Sequence, residues 1–395
     1  MQNIKVKILI ATILLGVGLS GGIYVPAVTD IITLGEQRLA AVFPIIQNFK
    51  SIITSDPFNV TATWTGGDVC AYRGFYCESP PDNQSATAVA SIDFNGFRLA
   101  APTLDGFLDR LPDLALFHAN SNDFGGAIPA GAASLPYLYE LDVSNNRLSG
   151  PFPEAVLRMP GLVFLDLRFN ALAGAVPPQL FARARALRAL FINNNLLATR
   201  LPDIPGGPTS IVYLTLANNR LFGPVPTSIS TTFSNVSEIL LLNNLLSGCL
   251  PYEIGLLPEA AVIDLGGNRL TGPVPWSLGC LRSLEVLNLA GNKLYGQVPE
   301  VMCCLGKAAN LSLSDNYFTR LGPACWRLMV SGVLDVRRNC IPGFPAQRSL
   351  AECAAFFGRP RFCPYTRMYG HIPCRLPPRY VASASEWPQL APSPS

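Results

Sequence analysis

An asparagine recurs every 23 to 25 residues over most of the chain, and this period constrains the fold more than any other feature. The recurring residues, spaced 24, 24, 25, 24, 25, 24, 24, 24 and 23 residues apart, are Asn122, Asn146, Asn170, Asn195, Asn219, Asn244, Asn268, Asn292, Asn316 and Asn339. An earlier copy has Phe97 in the same slot, 25 residues before Asn122. A fixed period over about eleven copies predicts one solenoid of stacked coils.

Each copy approximates the pattern Leu-x-x-Leu-x-Leu-x-x-Asn-x-Leu-x-Gly-x-hydrophobic-Pro, as in LYELDVSNNRLSGPFP at residues 138–153. Leu141 and Val143 are two residues apart, as the inward side chains of a short strand should be. The amide of Asn146 can both donate to and accept from loop backbone that would otherwise be buried unpaired. Period and pattern are typical of the leucine-rich repeat. They predict an α/β solenoid of 10–11 coils, with a concave parallel β-sheet about 50 Å long and disulfide-stapled caps.

The N-terminus has the organisation of a secretory signal. Lys5 and Lys7 precede an apolar stretch of twelve residues, 8–19, and small residues lead to Ala27. The stretch is short for a membrane span, which needs about 20 residues, although an uncleaved anchor is the alternative. We therefore expect a signal peptide at 1–27, an N-terminal cap at 28–88, repeats at 89–345, and a C-terminal cap with a Pro-rich tail at 346–395.

The two ends of a solenoid expose core leucines and need covers. At the front, QRLAAVFPIIQNFKSII predicts an apolar helix that is broken near Pro44, followed by a disulfide between Cys70 and Cys77. At the back, the sequence LAECAAFF predicts a short apolar helix, and the residues after Cys363 are expected to form a loose tail.

The chain has eleven cysteines, which fits disulfide formation in an oxidising compartment. Because the number is odd, at least one thiol is free or links two chains. We expect the adjacent Cys303 and Cys304 to have different partners and Cys374 to be the unpaired residue, which raises the hypothesis of a disulfide-linked homodimer. Four Asn-x-Ser/Thr sequons favour a secreted glycoprotein, at Asn59, Asn83, Asn235 and Asn310.

Three stretches carry a resemblance to a known family. The repeat endings LFGPVPTSI and LTGPVPWSL are similar to the plant-specific leucine-rich-repeat class. The segments SDPFNVTATWTGGDVCAYRGFYC and DLALFHANSNDFGGAIP resemble the leucine-rich-repeat extensin-like proteins of the plant cell wall, over about residues 37–363. The resemblance implies binding of small, basic, Cys-rich peptides of the rapid alkalinisation factor type. The Ser-Pro-Pro-Pro-Pro repeats of that family do not follow GHIPCRLPPRY here, so anchoring in the wall is not expected.

The outward positions of the strands, two, four and six residues before the recurring Asn, are candidates for ligand contact. An acidic row is expected beside an aromatic group, with Arg168 neutralising part of the charge. An acidic, partly aromatic groove suits a basic peptide, although Asp in this slot is also explained by a solvated strand. The candidate residues are Asp93, His118, Glu140, Asp142, Phe164, Asp166, Arg168, Phe169, Phe191 and Tyr213.

The sequence does not favour catalysis, metal binding, a cofactor or nucleic-acid binding. Only two histidines exist, His118 and His371, no Cys-x-x-Cys pair occurs, and the formal net charge is +3. The leading hypothesis is a secreted binding protein of the wall space that captures a basic signalling peptide. The alternatives are an inhibitor of microbial wall hydrolases and a structural protein that binds pectin through Arg337, Arg338, Arg359 and Arg361.

Overall fold

The computed structural model describes residues 37–183, 185–203, 208–360, 362–364 and 366–375, so the predicted signal peptide lies outside the described residues. Eleven parallel strands of the described chain form one concave sheet, preceded by a single antiparallel strand, Phe75–Glu78. The coils are numbered 1 to 11 by these strands: Ala88–Asp93, Leu116–His118, Glu140–Asp142, Phe164–Asp166, Ala189–Phe191, Tyr213–Thr215, Glu238–Leu240, Val262–Asp264, Val286–Asn288, Asn310–Ser312 and Leu334–Asp335. The predicted leucine-rich-repeat solenoid is confirmed.

The strands pair in register, so the same slot of each coil stacks on that of the next. Leu141 lies opposite Leu165, and Leu165 lies opposite Leu190. All three are fully buried, and a buried leucine contributes roughly 2 kcal/mol. Because each coil buries its leucines only against its neighbours, the core is one continuous column.

The recurring asparagines fill the role predicted for them. Asn146 Nδ2 donates to the carbonyl oxygens of Ala119, at 2.8 Å, and Val143, at 3.1 Å. Its Oδ1 accepts a hydrogen bond from the backbone N of Phe124 at 3.0 Å. One side chain therefore satisfies backbone groups of its own coil and the preceding coil, which makes it a structural residue.

After the concave sheet, the chain runs through a second row of short strands and returns through single helical turns. The strands are Ala100–Ala101, Asp123–Phe124, Ser149–Pro151, Ala171–Gly174, Leu196–Leu197, Phe222–Gly223, Leu245–Cys249, Arg269–Gly272, Lys293–Gln297 and Tyr317–Arg320. The helical turns are Leu108–Arg110, Ala130–Ser134, Glu154–Arg158, Gln179–Arg183, Ile229–Thr232, Tyr252–Leu256, Trp276–Cys280 and Glu300–Cys304, and coil 10 has a longer helix, Pro323–Val330. Gly150 has a φ of 91°, which glycine adopts without steric cost.

The N-terminal cap is built on a helix, Gln37–Ile52, which continues through Pro44. The predicted break is therefore wrong. Leu39, Val42, Ile46 and Phe49 form a buried stripe on one face, and their packing outweighs the single backbone hydrogen bond that a proline removes. The Phe49 ring stacks on Phe107 of the first coils, with centroids 3.9 Å apart. Short helical turns at Val60–Thr63 and Val69–Ala71 follow, and the predicted disulfide between Cys70 and Cys77 is present.

The C-terminal cap contains the predicted short helix, Leu350–Phe357, which begins with a capping box between Ser349 and Glu352. A disulfide between Cys340 and Cys353 joins this helix to coil 11.

The residues after Cys363 do not form the expected loose tail, at least as far as residue 375. Cys363 is bonded to Cys249 and Cys374 to Cys280. A short helix, Thr366–Tyr369, lies between them, and the Tyr369 hydroxyl donates to the carbonyl oxygen of Leu250 at 2.8 Å. Two disulfides and a buried phenol thus fasten this segment to coils 7 and 8.

The expected cysteine assignment is wrong in two respects. Cys374 is paired, and the unpaired residue among the described cysteines is Cys304. Its neighbour Cys303 is bonded to Cys325. No helix in the described part of the chain combines the length and apolarity needed to cross a membrane.

Candidate ligand-binding face

The concave surface of coils 1 to 6, here called the N-terminal face, brings most of the predicted residues together. Two rows of side chains cross it, because neighbouring strands pair in register. The first row consists of Asp93, His118, Asp142, Asp166, Phe191 and Thr215. The second row consists of Ser91, Leu116, Glu140, Phe164, Ala189 and Tyr213. Neighbouring members lie about 5 Å apart along each row.

His118 and Glu140 form a contact between the two rows. His118 Nε2 lies 2.9 Å from Glu140 Oε2, and the two side chains are 28% and 32% exposed. The contact joins coil 2 to coil 3 and leaves both groups within reach of solvent.

The aspartates of the first row have a structural role of their own. Asp142 Oδ1 accepts hydrogen bonds from the backbone N of Ser144 at 2.9 Å and from its hydroxyl at 2.6 Å. The same bond to the backbone N two residues later is made by Asp93, Asp166, Asp264 and Asp335, at 2.9–3.0 Å. Aspartate recurs in this slot because it closes the turn at the strand end. Its frequency alone is therefore not a sign of a ligand.

Asp166 does not belong to an exposed acidic row, and here the expectation is corrected. Its side chain is 0% exposed, and Arg168 Nη2 lies 2.6 Å from its Oδ2. Arg168 Nε also donates to Oδ2 at 2.8 Å. Burial raises the pKa of Asp166, while the hydrogen bonds from Arg168 act in the opposite direction. Arg168 neutralises this carboxylate as predicted, but it also covers it.

The predicted aromatic group is assembled on coils 4 to 6. Phe164 and Phe191 meet edge to face, with centroids 5.5 Å apart. The Arg168 guanidinium lies 5.2 Å from the centroid of Phe191, within the range of a cation–π contact. Phe169 and Tyr213 are about half exposed, at 49% and 46%. Phe169 provides an apolar surface and Tyr213 an amphipathic one, next to coils 1 to 3, which carry the acidic side chains.

Sequence reasoning missed two features of this face and one exposed aromatic side chain next to a strand of it. Tyr139, just before the strand of coil 3, is 48% exposed. In coil 5, Oδ1 of Asn193 is buried and has no hydrogen-bond partner in the described structure. Asn120 donates from Nδ2 to the Ser144 hydroxyl. Asn193 and Ser144 lie two residues before the recurring Asn of their coils. The period-two alternation of the strand could therefore have indicated that both side chains point to the concave side.

The C-terminal half of the concave sheet differs in character. Leu240 and Leu242 are half-buried, and Asp264 Oδ2 accepts a hydrogen bond from Asn288 at 3.1 Å. Arg337 and Arg338, expected to form a basic cluster, are paired with Asp335 and Asp315. Their charge is therefore compensated locally. Arg359 is exposed, whereas Arg361, the fourth arginine of that cluster, lies outside the described residues.

The four sequon asparagines, Asn59, Asn83, Asn235 and Asn310, are all exposed. Asn235 Nδ2 also donates to the carbonyl oxygen of Thr209 at 2.9 Å. Asn310 is the first residue of the coil 10 strand, so it lies on the concave surface.

A cleft of about 590 Å³ lies away from the concave face, between the C-terminal segment and coils 5 to 7. Tyr252, Phe362, Met368 and Tyr369 contribute to its lining. None of the predicted ligand-binding residues is among the residues that line it.

Comparisons with known proteins agree with this architecture. The family model described as Leucine rich repeat matches residues 136–197, and a second one of the same description matches residues 283–305. The matches and the eleven-coil solenoid define a leucine-rich-repeat protein.

Within that class, the sequence is similar to Leucine-rich repeat extensin-like protein 1 of Arabidopsis thaliana, with 44% identity over 109 residues. That match covers 28% of this chain and 14% of the relative. Leucine-rich repeat extensin-like protein 4 of the same organism is 45% identical over 94 residues, covering 24% of this chain and 19% of the relative. The predicted resemblance to this family is confirmed over about a quarter of the chain, and its predicted extent over residues 37–363 stays a prediction. The matched segments span less than a fifth of these relatives.

Solved structures show the same fold. The plant peptide hormone receptor RGFR1, in complex with RGF2, aligns with a TM-score of 0.55 and 28% identity, over 59% of this chain and 37% of the receptor. A plant ice-binding protein aligns with a TM-score of 0.61 and 23% identity, over 79% of this chain and 98% of that protein.

Proposed function

We propose that the protein binds a basic, Cys-rich signalling peptide on its N-terminal face, as a non-catalytic receptor in the plant extracellular space. The observation that carries the proposal is the juxtaposition of two chemistries on one rigid sheet. Glu140 and Asp142 supply negative charge on coil 3, and Phe164, Phe191 and Tyr213 supply aromatic surface on coils 4 to 6.

The two chemistries act at different stages of binding. Carboxylates at the surface steer a cationic peptide to the face and raise its association rate, an effect that salt screens. Aromatic side chains then provide anchors, whose burial slows dissociation. The in-register strands hold both sets in place, so little ordering entropy is lost on binding.

The comparisons support the class of ligand. RGFR1 was solved with a peptide hormone and is 28% identical to the aligned part of this chain. The similarity to leucine-rich repeat extensin-like proteins favours a peptide of the rapid alkalinisation factor type. The five disulfides and the exposed sequons fit an extracellular glycoprotein. Pectin binding is less well supported, since the arginines expected to bind it pair with Asp335 and Asp315.

Calorimetric titration with a folded rapid-alkalinisation-type peptide tests the proposal. We expect binding that weakens between about 0.05 M and about 0.3 M salt, and that weakens further in Tyr213→Ala. Phe222→Ala is the matched control, because Phe222 is 42% exposed but lies on the second row of strands, off the concave face. Absence of binding at micromolar peptide, or equal losses in both variants, would remove this function and favour hydrolase inhibition instead.

A further inference from the structure

We infer that His118 makes ligand capture by the N-terminal face pH-dependent, so that a basic peptide is held more tightly near neutral pH than in mildly acidic solution. The inference rests on the proposed function, because it concerns regulation of the same face.

The first observation is the position of His118 among carboxylates. In the first row, it lies between Asp93 on coil 1 and Asp142 on coil 3. Its Nε2 lies 2.9 Å from Glu140 Oε2 in the second row. One imidazole therefore contacts one carboxylate and has two more at the neighbouring positions of its row, on the two strands that flank its own.

The second observation is that no other cation offsets these carboxylates on the described concave positions of coils 1 to 3. The remaining side chains of the two rows there are Ser91 and Leu116, and the positions two residues before the recurring slot hold Asn95, Asn120 and Ser144. Arg168, on coil 4, is engaged with the buried Asp166, and Arg73, in the cap segment before coil 1, lies over the ring of Phe97. Protonation of His118 thus changes the charge of this patch from −3 to −2.

The direction of the effect follows from competition for the same oxygens. A protonated imidazole pairs with Glu140, so a Lys or Arg of the ligand must displace it or bind beside a like charge. A neutral imidazole leaves the carboxylate charge uncompensated. Because histidine is the side chain whose charge ordinarily changes between mildly acidic and neutral solution, affinity should be higher at about pH 7.5 than at about pH 5.5. One added charge about 5 Å away, largely screened by water, corresponds to about a fivefold change in Kd.

The sequence makes the test unusually clean, because the chain has only two histidines. The other, His371, stacks on Tyr252 in the disulfide-fastened C-terminal segment, with centroids 6.0 Å apart. It lies against the helical turn of coil 7, away from the concave strands, so His371→Gln is a matched control for His118→Gln.

The experiment is calorimetric titration of the full chain with a folded rapid-alkalinisation-type peptide, at about pH 5.5 and about pH 7.5 and constant ionic strength. Wild type and His371→Gln should bind about fivefold more tightly at the higher pH. His118→Gln should lose most of that difference between the two pH values, whatever its absolute affinity. The titrating groups of the peptide contribute equally to all three proteins, so the difference between wild type and His118→Gln isolates the effect of His118. His118→Asn replaces His118→Gln if the latter fails to fold.

Two outcomes would overturn the inference. One is a pH dependence that persists in His118→Gln, and the other is wild-type binding that is unchanged or tighter in acid. Both leave the proposed function standing, since the peptide is still bound. Absence of binding at either pH contradicts the proposed function itself, and the inference with it.

Discussion

The carboxylate of Asp166 is fully buried beneath the guanidinium of Arg168, with Oδ2 and Nη2 2.6 Å apart. In coil 3, the position equivalent to Arg168 is Ser144, which bonds Asp142 without covering it. The arginine also lies over the ring of Phe191. This pair therefore divides the N-terminal face into an acidic part on coils 1 to 3 and an aromatic part on coils 4 to 6.

Removing the arginine should destabilise the fold. In Arg168→Ala the carboxylate of Asp166 loses the guanidinium that both neutralises and covers it, and removing one partner of a buried ion pair costs about 3 kcal/mol. The free energy of unfolding, measured by denaturant titration, should fall by about that amount.

Arg337→Ala provides the comparison, because Arg337 pairs with Asp335 across the same two-residue spacing but is 72% exposed. We expect no resolvable loss of stability there, since exposed ion pairs contribute little. Equal losses in the two variants would contradict the role assigned to burial.

Glu300 caps the helix of the next coil. The side chain is 2% exposed, and one carboxylate oxygen accepts from the backbone N of Ala324, in the first turn of Pro323–Val330. The other oxygen, Oε2, is buried without a partner in the described structure. Glu300→Ala should lose about 1 kcal/mol of stability through loss of the cap, whereas Glu300→Gln keeps an acceptor and removes a buried charge.

The wild-type protein and the Glu300→Gln variant should also differ in how their stability depends on pH. Burial raises the pKa of Glu300 above its ordinary 4.5, so the folded state binds the proton more tightly than the unfolded state. The stability contributed by Glu300 is therefore greatest below pH 4.5 and declines as pH rises through the folded pKa. Relative to wild type, Glu300→Gln should gain stability between about pH 4.5 and about pH 7. A constant difference would show that the carboxylate does not titrate in this range.

Alkylation under denaturing, non-reducing conditions should label one thiol per chain, at Cys304. In the native protein the reaction should be slow, because Cys304 is partly buried and burial raises the pKa of its thiol. Peptide mapping identifies the labelled residue. A label on Cys374 would contradict the pairing of Cys374 with Cys280. No label, together with a dimer on non-reducing gels, would restore the hypothesis of a disulfide-linked homodimer.

The Asn310 sequon should carry a glycan that does not interfere with peptide binding. The residue lies on coil 10, about 30 Å from coil 3 at the spacing of parallel strands. In protein secreted from plant cells, Asn310→Gln should lower the intact mass by one glycan and leave the affinity for the peptide unchanged. An unmodified Asn310, or a changed affinity, would contradict this placement.

Most of the fold could be predicted because the repeat encodes it locally. Asn146, Leu141 and Val143 lie where the pattern put them, since each acts within its own coil or on the next. The pairing of Cys280 with Cys374 spans 94 residues, and no local pattern reports which distant coil a terminal segment reaches. The continuity of the first helix through Pro44 was also missed because it depends on a distant contact. The packing of Phe49 against Phe107 overrides the local preference of proline to break a helix.

The candidate site was predicted less completely. Strand periodicity correctly placed His118, Glu140 and Asp142 on the concave side. It could not show that Arg168 folds back over Asp166, because side-chain direction depends on the partners available in three dimensions. The structural use of aspartate at strand ends was also hidden, since a turn hydrogen bond and a ligand contact call for the same residue.

The measurement that tests the central claim most directly compares the affinity of a folded rapid-alkalinisation-type peptide for two single variants. Asp142→Asn and Asp264→Asn remove the same charge from the same slot, and both aspartates accept the same turn hydrogen bond. They differ in position, on coil 3 and coil 8. The proposed function predicts that Asp142→Asn weakens binding about fivefold, while Asp264→Asn leaves it unchanged. Equal effects, or a larger loss in Asp264→Asn, would contradict the assignment of the N-terminal face as the binding site.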